Sequence, residues 1–120
     1  MTNEELKART KKFSLQILNL VEKFPNSISS RVVINQIVKS GTSVGANYRA
    51  VCRARSDREF VAKLNIVLEE ADECQFWLEI ISEMKWTNAS ELEFLIKESS
   101  ELVAIFVSTL KTVNNRINNK

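Results

Sequence analysis

Apolar side chains recur along the chain at alternating steps of three and four residues, the spacing that places them on one face of an α-helix. Four such stripes occur, and turn-forming residues separate them. They are Leu6, Thr10, Phe13, Ile17, Leu20 and Phe24; Ile34, Ile37, Gly41, Val44, Tyr48 and Val51; Phe60, Leu64, Val67, Ala71, Cys74, Leu78 and Ile81; and Leu92, Ile96, Ser99, Val103, Phe106, Leu110 and Val113. The stripes predict helices over about residues 3–24, 28–54, 57–85 and 88–116.

The ends of these helices are marked by capping and turn residues. Segments that fit a helix N-terminus lie at Thr2–Glu5, Ser56–Glu59 and Asn88–Glu91. The run Phe24-Pro25-Asn26-Ser27 ends the first helix, because the residue before a proline disfavours the α conformation. Connections of only a few residues force sequential helices to run antiparallel. We therefore predict one all-α domain over residues 1–120, an antiparallel up-down-up-down four-helix bundle.

The second and third helices carry features beyond a simple core stripe. Gly41 and Gly45 lie inside the second helix, where each costs about 1 kcal/mol relative to Ala. Another helix is therefore expected to approach this backbone closely. On the third helix a second stripe runs beside the first, formed by Ile66, Glu70, Glu73, Trp77, Ile80 and Met84. Helix three is thus expected to touch more than one neighbour.

Several polar residues beside the core stripes are candidates for an interface or a polar network. They are Ser43, Asn47, Glu70, Glu73 and Trp77. The two carboxylates are expected to pair with Arg49, Arg53 or a base of another subunit, since structural ion pairs are commoner than catalytic or metal sites. The Ser and the Asn lie on the flank of helix two, where a buried Asn more often fixes helix register than binds a ligand.

Composition excludes most enzymatic bundles. The 120 residues are 44% apolar and include two glycines, one proline and no histidine, so we expect few, long elements around one core. Without histidine, the Glu-x-x-His di-iron signature, Ser-His or Cys-His pairs and H-E-x-x-H zinc sites cannot form. With two glycines, no phosphate-cradling loop is expected either. We predict no catalytic residue, no cofactor and no metal site.

Cysteine use and hydropathy bear on location. Cys52 and Cys74 have no C-x-x-C spacing and sit in apolar helical patterns, which favours a reduced cytoplasmic protein without a disulfide. No stretch of about 18 apolar residues occurs, and the charged N-terminal segment has no signal-like apolar region. We therefore expect a soluble protein that is neither secreted nor inserted in a membrane.

Charge is unevenly distributed although the net charge is only +2. Residues 1–63 hold 12 bases and 5 acids, whereas residues 64–120 hold 10 acids and 5 bases. A basic side of one molecule facing an acidic side of the next predicts head-to-tail association into a homo-oligomer, which closes into a ring where the rotation permits.

The densest basic cluster surrounds the turn between helices two and three. It comprises Arg49, Arg53, Arg55, Arg58 and Lys63. Such a cluster can hold the phosphates of RNA or DNA through salt-sensitive, sequence-independent contacts. The alternative is a solvated turn, or a row of bases paired with acids.

Several motifs together resemble the 23S ribosomal RNA intervening-sequence proteins, a family of four-helix bundles. The motifs are the run from Gln36 to Ala50, then Arg55-Ser56, Glu59-Phe60, Glu70-Ala71 and Trp77-Leu78. The match covers roughly residues 10–112. Many members carry Glu and Gly soon after the Ala-Asn pair, where this chain has Tyr48, Arg49 and Ala50. That departure makes the patch more basic here.

The resemblance implies a small cytoplasmic bacterial protein that assembles as a toroidal homopentamer. A related group serves as accessory variability determinants of diversity-generating retroelements, which bind nucleic acid and a reverse transcriptase. The leading hypothesis is a non-enzymatic oligomeric scaffold that contacts RNA or DNA through the basic cluster. The alternative is a protein-binding adaptor that binds no nucleic acid.

Overall fold

Four long helices account for most of the chain. The structure, a computed structural model, describes all 120 residues. The helices are α1 (Asn3–Val21), α2 (Ile28–Val51), α3 (Asp57–Met84) and α4 (Ser90–Asn118). Each helix packs against its neighbours in the order α1, α2, α3, α4 and back to α1, and between diagonal pairs no Cα atoms lie within 8 Å of each other. The bundle is 53 Å long and 23 by 20 Å in cross-section.

Contacts at different heights fix the helix directions. Between α1 and α2 they join Ile17 to Gly41 and Ser14 to Gly45; between α3 and α4 they join Asp57 to Arg116 and Gln75 to Ser100. Within each pair, residue numbers rise along one helix as they fall along the other, so the two helices run antiparallel. The predicted antiparallel four-helix bundle is thus the fold observed.

The core follows the predicted stripes with small shifts. All of the α1 stripe to Leu20 is buried, as is the α3 stripe from Leu64 to Ile81. On α2 the stripe begins at Val33, which is 6% exposed, and Ile34 lies at its border. On α4 the buried face also includes Leu95, Glu98 and Leu102, which the predicted stripe did not contain. Of these, Glu98 faces α1, where it pairs with Arg9.

Helix ends depart from prediction by one to three residues, as local hydrogen bonding decides them. The α1 helix ends at Val21, since the amides of Lys23 and Phe24 turn back to carbonyls three residues earlier. The α2 helix ends at Val51 for the same reason. The predicted Asn88 cap on α4 is wrong: Ala89 is the N-cap and makes no side-chain cap hydrogen bond. At the other starts, side chains of Thr2, Ser27 and Ser56 cap the helix.

Helix α1 packs closely against the two glycines of α2, and the sequence predicts such a close approach by another helix. A Cβ on Gly41 would lie 2.9 Å from two carbons of Ile17, and one on Gly45 would lie 2.7 Å from the Ser14 hydroxyl. That hydroxyl donates to the carbonyl of Gly41 at 2.8 Å and accepts from the amide of Gly45 at 3.3 Å. Ser14 therefore bridges one turn of the α2 backbone, and we call this contact the glycine seam.

The opposite side of α1 is held by an ion pair. Arg9 donates two hydrogen bonds to Glu98, at 2.7 and 2.6 Å, and lies 3.5 Å from Glu101. The Glu98 side chain is 10% exposed and the Arg9 side chain 23%. The hydrogen bonds to Glu98 hold the pKa of Arg9 above its ordinary value, against the cost of burial. Because α1 packs only lightly on α4, this bidentate pair is the main polar link across that seam.

We expect Gly45→Ala to destabilise the protein although Ala is the better helix former. The new Cβ would also lie 3.1 Å from the Thr10 carbonyl oxygen and 3.3 Å from the Lys11 Cα, so backbone as well as side chain must move. Overpacking of this kind costs about 1–3 kcal/mol, against a propensity gain of about 1 kcal/mol. Urea unfolding should show a lower midpoint, whereas Gln36→Ala on the exposed face should stay within about 0.5 kcal/mol of wild type. An unchanged or raised midpoint for Gly45→Ala contradicts the seam.

Removing the acid of the α1–α4 pair should lower stability more than removing a similar acid at the surface. We expect Glu98→Ala to reduce the free energy of unfolding by about 2 kcal/mol, because a partly buried guanidinium loses its partner. The control is Glu91→Ala, which breaks the exposed Lys23–Glu91 pair at 3.8 Å and should cost less than about 0.5 kcal/mol. If both variants lose the same free energy of unfolding in denaturant, the Arg9–Glu98 pair stabilises the protein no more than an exposed ion pair does.

Candidate nucleic-acid interface

A basic groove runs over the outer face of α2 near its C-terminal end. Its volume is about 680 Å³. The residues that line it are Lys11, Ser14, Thr42, Gly45, Ala46, Arg49, Ala50, Arg53 and Lys63. Four of the nine are cations, contributed by α1, by the end of α2 and the turn after it, and by α3, and the rest are small. The glycine seam forms part of the floor, because close packing of α1 is what brings Lys11 beside α2.

The structure divides the predicted basic cluster. Arg49, Arg53 and Lys63 line the groove, together with Lys11, which sequence reasoning missed. Arg55 is 88% exposed and lies 3.6 Å from Glu59, outside the groove. Arg58 borders a separate depression with Lys120. It stands five positions before Lys63, which turns the two side chains about 140° apart around α3. One cluster in the sequence is therefore two surfaces in the fold.

Charge pairing within the groove is slight. Lys63 lies 4.0 Å from Glu59, at the limit of an ion pair. The carboxylates that form ion pairs elsewhere do so with other bases, and no such pair includes Lys11, Arg49 or Arg53. A shallow continuation of the groove along α1 adds Lys7 and one acid, Glu4. The groove therefore presents a concentration of positive charge that the chain itself leaves uncompensated.

The fold also sorts charge along the bundle axis. The end that contains the N-termini of α1 and α3 and the C-termini of α2 and α4 is taken as the ten nearest residues of each helix with the adjoining turn and tails, which are residues 1–12, 42–66 and 109–120. These segments hold twelve bases and four acids, a net charge of +8. The remaining residues hold five bases and eleven acids, a net charge of −6. The groove lies at the basic end, so the surrounding field reinforces its own charge.

The five interface candidates border the seam between α2 and α3. Ser43 and Asn47 are half-buried on the flank of α2 that also carries Ser40, and Ser40 lies beside Cys74 of α3. On α3, Glu70, Glu73 and Trp77 follow one another at helical spacing along the second stripe. The polar residues singled out in the sequence thus share one flank of the molecule.

Within the chain, the two carboxylates do not pair with Arg49 or Arg53. Those bases belong to the groove, and the base that acts on Glu70 is Lys39, at a distance beyond an ion pair. Burial and the neighbouring charge of Glu73 raise the pKa of Glu70, and Lys39 only partly opposes this. The predicted pairing is wrong for one chain because the two carboxylates lie level with Lys39 and Ser40, more than two helical turns from Arg49 along α2. Pairing with a base of another subunit stays a prediction.

Apolar residues are exposed on the same flank. Ile66 and Met84 are 48% and 49% exposed, so the second stripe of α3 is only partly covered by neighbouring helices. Trp77 packs against the core edge-on to Phe76, with ring centroids 5.0 Å apart. Its indole nitrogen is buried and has no hydrogen-bond partner, although a buried indole N–H usually finds one. This flank therefore presents exposed apolar groups among polar ones.

No other cluster suggests chemistry. Cys52 and Cys74 are both free, and burial raises the pKa of the Cys74 thiol to about 12. Burial likewise raises the pKa of Tyr48 to about 12; its ring stacks on Phe106 and its hydroxyl donates to Asn3 at 3.3 Å. No group of His, Cys, Asp or Glu side chains is arranged to hold a metal ion. None of the four helices is both long and apolar enough to cross a membrane.

Comparison with known proteins agrees with the motifs and the bundle. The sequence matches the family described as 23S rRNA-intervening sequence protein over residues 3–108. This chain belongs to that family. It is also similar to the crystal structure of a protein with unknown function from the S23 ribosomal protein family of Bacteroides thetaiotaomicron. The two share 33% identity and a TM-score of 0.81, over 92% of this chain and 99% of the other. No curated protein matches the chain.

The groove residues of this intervening-sequence protein that the sequence did not reveal, Lys11 and Ser14, both come from α1. Lys11 lies 38 positions before Arg49, and nothing in the local pattern links them. The available signal was the pair Gly41 and Gly45, which indicated that another helix approaches α2. It did not indicate which helix this is. Ser14 was overlooked because it stands beside the predicted stripe and is a small polar residue that is buried only in the assembled bundle.

Proposed function

We propose that this protein is a non-enzymatic helical scaffold that binds RNA or DNA through the phosphate backbone, at the basic groove. The observation that carries the proposal is the convergence of four cations on one concave surface with almost no acid to pair them: Lys11 of α1, Arg49 of α2, Arg53 of the following turn and Lys63 of α3. A surface this basic and this poorly compensated favours a polyanionic ligand.

The chemistry of the groove suits phosphates. Arg49 lies in the last turn of α2 and Arg53 in the turn that follows the helix, and both side chains line the same groove. Their guanidinium groups offer paired donors that match phosphate oxygens, and the two lysines add point charges on either side. The small residues between them let a backbone approach closely. Binding by such contacts releases counterions, and it depends on salt more than on sequence.

We also propose that the protein acts as a homo-oligomer, for which the family resemblance suggests a pentameric ring. The support is the α2–α3 flank, where Ile66 and Met84 are exposed and the Trp77 N–H is buried without an acceptor. A neighbouring subunit covering this flank would bury the two apolar side chains and could bring a base to Glu70 or Glu73.

Replacing both groove arginines should weaken nucleic-acid binding. Fluorescence anisotropy with a labelled RNA hairpin is expected to show wild-type affinity falling about 100-fold between roughly 50 and 200 mM salt, as four phosphate contacts imply. In Arg49→Ala/Arg53→Ala the affinity at low salt should fall at least about tenfold, and the slope against log salt should decrease by about 2.

The matched control removes two exposed cations that lie outside both the groove and the basic end, in Lys23→Ala/Lys97→Ala. This variant should bind nearly as tightly as wild type. The comparison therefore distinguishes loss of the groove arginines from an equal loss of net charge. Equal losses in the two variants would reject the groove as the site. Absence of binding in wild type would reject the nucleic-acid proposal and leave the protein-binding adaptor, whose surface would then be the α2–α3 flank.

Light scattering coupled to size-exclusion chromatography tests the assembly. We expect wild type at micromolar concentration to have a mass several times that of the 13.7 kDa chain. Ile66→Asp should shift the mass toward that of the chain, because a charge cannot be buried unpaired in an interface. Leu15→Asp, at a side chain 52% exposed on α1, is the control and should leave the mass unchanged. A monomeric wild-type protein contradicts the oligomer.

A further inference from the structure

Resting on the proposed function, we infer that the ligand of the basic end is a base-paired duplex, which bridges the groove and the separate Arg58 surface on the other side of α3. The inference concerns the form of the nucleic acid and adds a second contact. It does not depend on whether the strands are RNA or DNA, since both present phosphates on the outside of a helix.

The groove lacks what a single strand requires for tight binding. Proteins that hold single strands combine a basic groove with aromatic side chains on which successive bases stack. None of the nine residues that line this groove is aromatic. The nearest aromatic on the same helix, Tyr48, is 2% exposed and committed to stacking on Phe106. Duplexes need no such platform, because proteins recognise them through shape and phosphate contacts.

The unpaired cations are also spread over a wider surface than one single strand can contact. Arg58 is exposed, takes part in no ion pair, and faces about 140° around α3 from Lys63. Around it, Asp57 is occupied by Arg116, with both bonds at 2.9 Å, and by Lys120 at 3.6 Å. Asp57 forms its ion pairs with these two partners and none with Arg58. Two cationic surfaces therefore flank the start of α3.

A duplex is wide enough to meet both surfaces at once. The bundle is only 23 by 20 Å in cross-section, comparable in width with a nucleic-acid double helix. A ligand lying across the basic end can place phosphates of one strand in the groove and phosphates of the other beside Arg58. The net charge of +8 at this end and −6 elsewhere would orient the bundle with its basic end toward the ligand during approach.

Anisotropy with three labelled probes tests this inference: an RNA duplex, a DNA duplex of the same length, and an unstructured polyuridine strand of the same length. Wild type should bind both duplexes at least about tenfold more tightly than the single strand at equal salt. Arg58→Ala should weaken duplex binding several-fold and lower the salt slope by about 1, while leaving single-strand binding unchanged. Lys97→Ala, with the same loss of charge at an exposed position on α4, should affect neither.

The possible failures are distinct. Equal or tighter binding of polyuridine, or an equal effect of Arg58→Ala on all probes, overturns the duplex inference. If Arg49→Ala/Arg53→Ala still weakens every probe in that case, the proposed function stands without it. Loss of binding to all probes in wild type overturns both. Unchanged unfolding midpoints for Arg58→Ala and Lys97→Ala establish that the comparison is between folded proteins.

Discussion

The close approach of α1 to α2 at Gly41 and Gly45 determines most of what is distinctive in this bundle. A side chain at either position would overlap atoms of α1, so the helices can meet at this distance only where α2 has no Cβ. The Ser14 hydroxyl then replaces apolar contact with two hydrogen bonds to the α2 backbone. Because α1 is drawn inward here, Lys11 reaches the edge of α2 and completes a groove that α2 and α3 could not form alone.

The same approach explains why the other side of α1 depends on charge. A helix held tightly against α2 cannot also pack fully on α4, and the two are only lightly in contact. The gap is spanned by the long side chains of Arg9 and Glu98, which form a bidentate pair where shorter apolar groups would not meet. Apolar packing thus dominates three seams of the bundle, and a polar link closes the fourth.

Periodicity was sufficient for the helices and for most of the core, because burial of one face repeats every three or four residues within each helix. It could not reveal Arg9 with Glu98, which are 89 residues apart and lie on opposite sides of a seam. Nor could it show that Lys63 and Arg58 face different ways: they are near neighbours in the sequence, and only their rotation about the α3 axis separates them. Local patterns fix which face is buried, whereas the pairing of outer faces depends on how helices tilt and approach.

The arrangement of charge follows a similar logic. Divided by sequence, the halves carry about +7 and −5, which suggests one basic and one acidic side. Antiparallel packing instead gathers the basic parts of all four helices at one end, because the N-terminal turns of α1 and α3 meet the C-terminal turns of α2 and α4. The resulting separation, +8 against −6, acts along the long axis. A field with that direction would turn the basic end, with the groove and the Arg58 surface, toward a polyanion of the kind proposed.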